Sequence, residues 1–139
     1  MINEIISQFD YSSAVMTRFL NPHHAGEMGS STNVRTAHAG SRERGASIRL
    51  YLQLKDIRVV QARFVAYGCP HFLAAAEMLC EWCEGRSISE LSQWNWQSLQ
   101  SALEIPSTKR GKLLLLEDVI RKVVRTTMEP VPAAVATKS

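Results

Sequence analysis

Residues 47–70 read SIRLYLQLKDIRVVQARFVAYGCP, two apolar runs that end in a glycine, a cysteine and a proline. Positions 48, 50, 52 and 54 are apolar and alternate with more polar residues, which is the period of a half-buried strand. Residues 55–56 supply a turn, and residues 57–67 predict a second strand. The apolar face of that strand is expected to comprise Val60, Ala62, Phe64 and Ala66. The pattern predicts an antiparallel hairpin.

Helices are predicted after the hairpin. Pro70 suits a first helical turn, where its missing N–H costs nothing, and Gly85 suits the position after the last turn. Residues 87–90 match a capping box, and residues 94–103 are predicted to be helical. A long final helix over residues 109–126 is predicted from one apolar stripe, formed by Leu113, Leu116, Ile120, Val123 and Val124.

The region before the hairpin is less regular. Residues 11–20 predict a short amphipathic helix with Asp10 as its N-cap, ended by Asn21-Pro22. Residues 21–46 form a long polar segment in which residues 33–38 are the candidate third strand. The predicted fold is α+β, a small antiparallel sheet of about three strands with helices packed on one face. One domain is expected over residues 1–128, followed by a disordered tail over residues 129–139.

Composition excludes several classes of protein. The net charge of +3 is too small to predict a nucleic-acid-binding surface. No apolar run reaches the length of a membrane span, and the first residues, MINEIISQFDYSS, do not resemble a secretory signal. Three cysteines without an export signal indicate reduced thiols, so a cytoplasmic location is expected.

Several separated motifs resemble one family. The segment Ala62-Arg63-Phe64 followed by Tyr67-Gly68-Cys69 is similar to a motif A-R-F-x-x-x-G-C, and Glu81-Trp82 followed by Gly85-Arg86-Ser87 is similar to E-W-x-x-G-K-S. Further matches, in the same order as in the family, are Tyr11-Ser12 with Asn21-Pro22 and Gly26, then Ile105-Pro106 with Lys109, and finally Glu117-Asp118-Val119-Ile120. The chain from about Tyr11 to Arg125 resembles the IscU/NifU-type scaffold on which iron–sulfur clusters are assembled.

The resemblance implies a SufE/IscU-like fold and a non-enzymatic scaffold that binds iron, as a [2Fe–2S] cluster, or zinc. It also implies two partners, a cysteine desulfurase and an Hsp70-type chaperone, and leaves a homodimer open. The chaperone motif of the family is L-P-P-V-K, whereas this chain has Ile105-Pro106-Ser107-Thr108-Lys109. Two apolar side chains that such a chaperone would bury are lost, so weak or absent chaperone binding is expected.

The chain departs from the family at the cluster ligands. Where the family has C-G-D, this chain has Arg44-Gly45-Ala46, and where the family has K-x-H-C, it has Lys109-Arg110-Gly111-Lys112. The ligand positions are therefore occupied by Arg44, Ala46, Gly111 and Lys112, and only Cys69 is retained. Clusters require about four thiolates or close substitutes, so no cofactor is expected in the isolated chain.

Other residues do not rebuild the ligand set. Cys80 and Cys83 are interpreted as packing thiols of a helix, because Cys69 lies eleven residues before Cys80, roughly 16 Å along a helix axis. His71 is a weak candidate ligand beside Cys69. The remaining histidines are expected to be solvated loop residues, namely His23, His24 and His38.

Four functional hypotheses follow. Cys69 at a helix N-terminus, near Arg44 and Lys112, would be a reactive thiol that accepts sulfur as a persulfide. Alternatively, the domain is an interaction module that docks on a desulfurase or chaperone without chemistry, with one of Trp94 and Trp96 exposed. Cys69 could also be an inert inherited thiol. A cluster shared between the Cys69 residues of a dimer is the fourth hypothesis.

Overall fold

The chain forms one antiparallel sheet in the order β1-β2-β3, with helices on one of its faces, in a computed structural model that describes residues 11–128. The strands are β1 (Val34–Ser41), β2 (Ala46–Lys55) and β3 (Arg58–Tyr67). The helices are α1 (Ser13–Leu20), α2 (Pro70–Cys83), α3 (Ile88–Leu91), α4 (Trp96–Leu103) and α5 (Arg110–Met128), with a 3-10 turn at Ser107–Lys109. The α+β prediction is confirmed, while the predicted tail at 129–139 lies outside the described residues.

The predicted inward face of β3 is wrong at one end. Val59 pairs with Leu54 and Gln61 pairs with Gln53, so Val60 is an extra residue opposite a register shift in β2. An extra residue reverses the alternation of side chains beyond it. Val59 is therefore buried and Val60 is 50% exposed, whereas Ala62 and Phe64 point inward as predicted.

Helices α2 and α5 pack on the inner face of the sheet, α2 against β3 and α5 against β1 and β2. All five residues of the predicted α5 stripe are buried, as are the apolar positions 48, 50, 52 and 54 of β2. Cys80 and Cys83 lie fully buried in this core, which confirms their prediction as packing thiols.

Two helix starts illustrate how the chain sets its boundaries. The N-cap of α1 is Ser12, whose hydroxyl accepts a hydrogen bond from the Val15 amide at 3.2 Å. The sequence predicted Asp10, which lies outside the described residues, as this N-cap. Because Ser12 is the N-cap, that prediction is wrong. The predicted capping box is present at α3, where Glu90 accepts from the Ser87 amide at 2.9 Å.

Gly40 and Gly45 provide a matched pair for testing the β1–β2 turn. Both have positive φ, +85° and +84°, but a Cβ on Gly40 would overlap the carbonyl oxygen of Ala46, whereas a Cβ on Gly45 would meet nothing within 4 Å. We expect Gly45→Ala to cost about 1–2 kcal/mol from backbone strain alone, and Gly40→Ala to cost clearly more. Urea denaturation of both variants measures the difference, and equal losses of stability would contradict the predicted overlap.

Candidate functional site

The sheet register brings the retained cysteine and two of the altered ligand positions to one end of the sheet. Ser47 pairs with Tyr67 and Ser41 pairs with Ala46, so the turn at 42–45 lies at the same end as residues 68–69. Cys69 follows β3 directly and is the N-cap of α2, with φ −75° and ψ 167°. Its side chain makes no capping hydrogen bond, and it is only partly buried. The thiol is thus held at the positive end of a 14-residue helix and is accessible to solvent.

The four altered ligand positions differ in exposure. Arg44 lies in the β1–β2 turn with its side chain exposed, and its amide donates to the Ser41 carbonyl at 3.2 Å. Ala46 is the first residue of β2 and is fully buried. Gly111 and Lys112 lie in the first turn of α5, the former exposed and the latter partly buried.

His71, two residues after Cys69, is a buried member of the same region. It is 6% exposed, and its ring centroid lies 4.6 Å from that of Tyr11. Within residues 11–128 its Nδ1 atom is buried and has no hydrogen-bond partner. Burial, followed by the positive charges of Lys109 and Lys112, lowers the pKa of His71 below its ordinary value. The imidazole is therefore neutral near pH 7.

Tyr11 and Lys109 are site residues that the sequence reasoning did not assign. Burial and the nearby Cys69 raise the pKa of the Tyr11 phenol, and Lys109 acts on His71 together with Lys112. Tyr11 precedes α1 and Lys109 belongs to the 3-10 turn, so three separate parts of the chain meet around Cys69 and His71. In the sequence Tyr11 stood out only as part of a predicted helix and of a family motif, because no periodicity links residues as far apart as Tyr11 and Cys69.

The donor set at this end of the sheet is small. Among residues 11–128, no group of three or more His, Cys, Asp and Glu side chains is arranged to hold a metal ion. Cys69 with His71 provides one thiol and one imidazole, whereas a structural zinc ion takes four protein ligands and a cluster takes about four. The residues of one chain therefore do not fit a cluster without further ligands, although they can present a nucleophilic sulfur.

The other two cysteines are set apart chemically. Burial raises the pKa of Cys83, and burial followed by the negative charges around it raises the pKa of Cys80 well above its ordinary value. Both thiols therefore stay protonated in the core, where they are poor nucleophiles.

His24 contradicts the prediction that the histidines of the long loop are solvated. Its Nδ1 lies 2.5 Å from Glu77 Oε2 and its Nε2 lies 3.0 Å from Glu84 Oε1, which makes it a bridge between residues 21–33 and α2. His23 is exposed, as predicted, and the side chain of His38 is exposed on β1. A histidine's partners in space have no signature in the local pattern, because Glu77 is 53 residues away.

The tryptophans and the residues of the altered chaperone motif differ in exposure. Trp94 is buried, while Trp82 and Trp96 are partly buried and each carries an arginine over its ring, Arg86 at 4.3 Å and Arg110 at 5.9 Å. In the motif at residues 105–109, the first residue is buried and the hydroxyl-bearing residues at 107 and 108 are exposed in the 3-10 turn.

The sheet, the helices on one of its faces and the cysteine at its end define the class of IscU/NifU-type scaffold domains. The chain belongs to the NifU-like N terminal domain family, which it matches over residues 10–129. No helix among residues 11–128 is long and apolar enough to cross a lipid bilayer.

Relatives of known name agree with this assignment. The chain is 28% identical over 116 residues to the iron-sulfur cluster assembly scaffold protein IscU of Haemophilus influenzae, a match that covers 82% of this chain and 92% of the relative. It is also 28% identical over 116 residues to the protein of the same name from Escherichia coli, covering 82% and 91%. Both names describe scaffold proteins.

A solved structure shows the same fold. A putative iron-sulfur cluster assembly scaffold protein for the SUF system from Fervidobacterium islandicum superposes with a TM-score of 0.68 at 13% identity, covering 85% of this chain and 98% of that one. At this identity the likeness supports the fold alone.

Proposed function

We propose that this protein acts in iron–sulfur cluster assembly as a scaffold-family member that accepts sulfur at Cys69 and does not build a cluster by itself. The observation that carries the proposal is the single accessible thiol at the N-terminus of α2, at the place in the chain where the family resemblance puts a cluster ligand. The proposed donor is a cysteine desulfurase, and the proposed location is the cytoplasm, where the thiol stays reduced.

The proposed chemistry is a transfer between sulfurs. The Cys69 thiolate attacks the outer sulfur of a persulfide on the donor's cysteine. A new S–S bond forms at Cys69 as the donor's S–S bond breaks, and the donor's cysteine leaves as a thiolate. The outer sulfur moves with no net oxidation or reduction, so the step requires no further reactant.

The surroundings of Cys69 suit an anionic sulfur. The thiol is at the positive end of α2, whose unbonded amides and dipole stabilise negative charge within the first turn. Lys109 and Lys112 lie close enough to act on His71, two residues further along. The same cations disfavour a metal ion, since protonated amines donate hydrogen bonds and do not coordinate.

Sulfur uptake tests the proposal. The purified protein is incubated with a cysteine desulfurase and cysteine, and peptide mass spectrometry reads alkylated persulfide on each cysteine. We expect one added sulfur on Cys69, and uptake at Cys80 and Cys83 at least about tenfold slower, because each pKa unit by which burial raises a thiol lowers its thiolate fraction tenfold.

Charge variants make the test specific. Lys112→Ala is expected to slow uptake at Cys69, and Arg44→Ala tests the second inferred cation. Lys122→Ala is the matched control, because Lys122 lies on the same helix but binds the His38 carbonyl at 3.0 Å. Sulfur uptake at Cys69 that is no faster than uptake at the buried Cys80 and Cys83 would refute sulfur acceptance.

An apolar groove beside the site favours a second candidate function, an interaction module without chemistry. The groove has a volume of about 260 Å³ and is lined mostly by apolar residues of α1, residues 21–26, β3 and α2, including Phe19, Pro22, Phe64 and Leu73. Val65 and Tyr67 on β3 are exposed nearby. This function would be established instead if the wild-type protein takes up no sulfur but binds the desulfurase, and if the Cys69→Ser variant binds it as well.

A further inference from the structure

Residues 21–26, the edge segment, run along the free edge of β3. The Phe64 amide donates to the His24 carbonyl at 3.0 Å, and the Gly26 amide donates to the Phe64 carbonyl at 2.8 Å. These two bonds form a short parallel bridge between Ala25 and Phe64. Two backbone bonds alone are a weak attachment, so side chains must help to hold the segment.

The side-chain attachment is a trio that we call the His24 clamp, comprising His24, Glu77 and Glu84. Glu77 is 1% exposed, and its carboxylate accepts from the His24 amide at 2.8 Å as well as from the His24 ring. Glu84 accepts from the other ring nitrogen at 3.0 Å and, through its second oxygen, from the Ala62 amide of β3 at 3.0 Å. The clamp thus ties the edge segment to both α2 and β3.

The hydrogen bonds assign the protonation state of the ring. Both ring nitrogens face carboxylate oxygens, and a carboxylate can only accept. A neutral imidazole has one N–H and can satisfy one of the two carboxylates, whereas an imidazolium satisfies both. Loss of one proton therefore removes a charge-assisted bond and leaves a carboxylate facing a nitrogen lone pair.

We propose that the His24 clamp is a pH-sensitive attachment, which fixes the edge segment on β3 while His24 is protonated and lets it open as the pH rises. Opening would change the apolar groove described above, because Pro22, Ala25 and Gly26 form one of its walls. The inference does not depend on sulfur acceptance at Cys69.

The charges around the clamp determine the direction in which the pKa of His24 is shifted. Burial lowers the pKa of His24, but the hydrogen bonds and negative charges of Glu77 and Glu84 outweigh burial, so the pKa is raised. On α2, Glu81 is paired with Arg18 of α1 at 3.0 Å. On β3, the Nη1 atom of Arg63 lies 3.3 Å from the position that a Cβ on Gly26 would occupy. On α2, burial and then nearby charges, including that of Glu77, raise the pKa of the Cys80 thiol.

A histidine with a raised pKa stabilises the closed segment fully below its ordinary value of about 6.5, and this contribution is lost as the pH rises through the raised value. Between those two values opening releases one proton. The equilibrium constant for opening therefore rises up to about tenfold per pH unit.

Amide hydrogen exchange measured by NMR between about pH 6 and pH 9 tests the inference, with rates expressed as protection factors. The reporters are the amides of Gly26 and Phe64, and the reference is the set of amides within β2. We expect reporter protection to fall with pH relative to the reference in the wild type, and to be low at every pH in His24→Gln. His23→Gln is the matched control, since His23 is exposed and its ring hydrogen-bonds, among the side chains described, only to Asn21.

Each result decides the question. Reporter protection that is independent of pH in the wild type would overturn the proposal, as would a loss shared equally by the β2 amides, because the clamp would then support the whole fold. If His24→Gln does not fold, the wild-type titration together with His23→Gln still gives the answer.

Discussion

Zinc is expected to raise the melting temperature of the triple variant Arg44→Cys, Ala46→Asp and Lys112→Cys, and to leave that of the wild-type protein unchanged. The variant would present three thiolates, with Cys69, and one carboxylate at the end of the sheet, which is a sufficient ligand set for zinc. A metal that binds only the folded state stabilises it by about 4 kcal/mol at a free concentration a thousandfold above its Kd. Thermal denaturation and metal analysis of the purified protein measure the effect.

The substitution at Ala46 is expected to destabilise the triple variant in the absence of metal. Ala46 is fully buried, so an aspartate there loses its solvation, and the metal-free variant is expected to be less stable than the wild type. The same variant with Cys69→Ser is the control, and it should lose most of the zinc effect. Stoichiometric iron or zinc in the wild-type protein that disappears in Cys69→Ser alone would contradict the low metal affinity expected of this chain.

Glu77→Ala is expected to lower the free energy of unfolding by about 3 kcal/mol near pH 6, because it removes the buried carboxylate of the His24 ion pair and leaves the ring with the more exposed Glu84 as its partner. Glu77 is also bonded to the His24 amide, so that a backbone donor loses its acceptor as well. Urea denaturation measures the change.

Glu81→Ala is the matched control for this substitution. Glu81 lies one turn further along α2 and is paired with Arg18, but its side chain is 37% exposed, and exposed pairs contribute about 0.2–1 kcal/mol. Since the pKa of His24 is raised, the difference between wild type and Glu77→Ala should shrink as the pH rises through that value. A loss in Glu77→Ala no larger than in Glu81→Ala would show that the buried pair contributes little.

Most of the fold was accessible from local pattern. The alternation at positions 48–54 and the apolar stripe of α5 predicted elements whose buried faces the structure confirms, because burial on one face imposes a period of two on strands and 3.6 on helices. Pro70 and Gly85 marked the limits of α2 to within two residues. The inward face of β3 was predicted wrongly at Val60, because a register shift depends on how two strands pair and not on either strand's own pattern.

The candidate site was predicted from the sequence at Cys69 and, through the family resemblance, at the four altered ligand positions. The cysteine's place before a proline predicted a thiol at a helix start, and the altered residues at 44, 46, 111 and 112 were readable from the family resemblance. The burial of His71, its unpartnered Nδ1, and its neighbours Tyr11 and Lys109 required the tertiary structure, because these residues come from elements that meet only when the sheet and helices pack.

The sequence by itself determined which elements form, which thiol is placed at a helix end, and which ligand types are present. The tertiary structure alone decided which charges are paired. His24 and Glu77 are both ordinary surface residues by type, and their burial against each other is stable only because the edge segment, α2 and β3 converge to satisfy every donor and acceptor. Local periodicity reports burial of apolar surface, whereas the compensation of buried charge depends on distance in space, which no local pattern records.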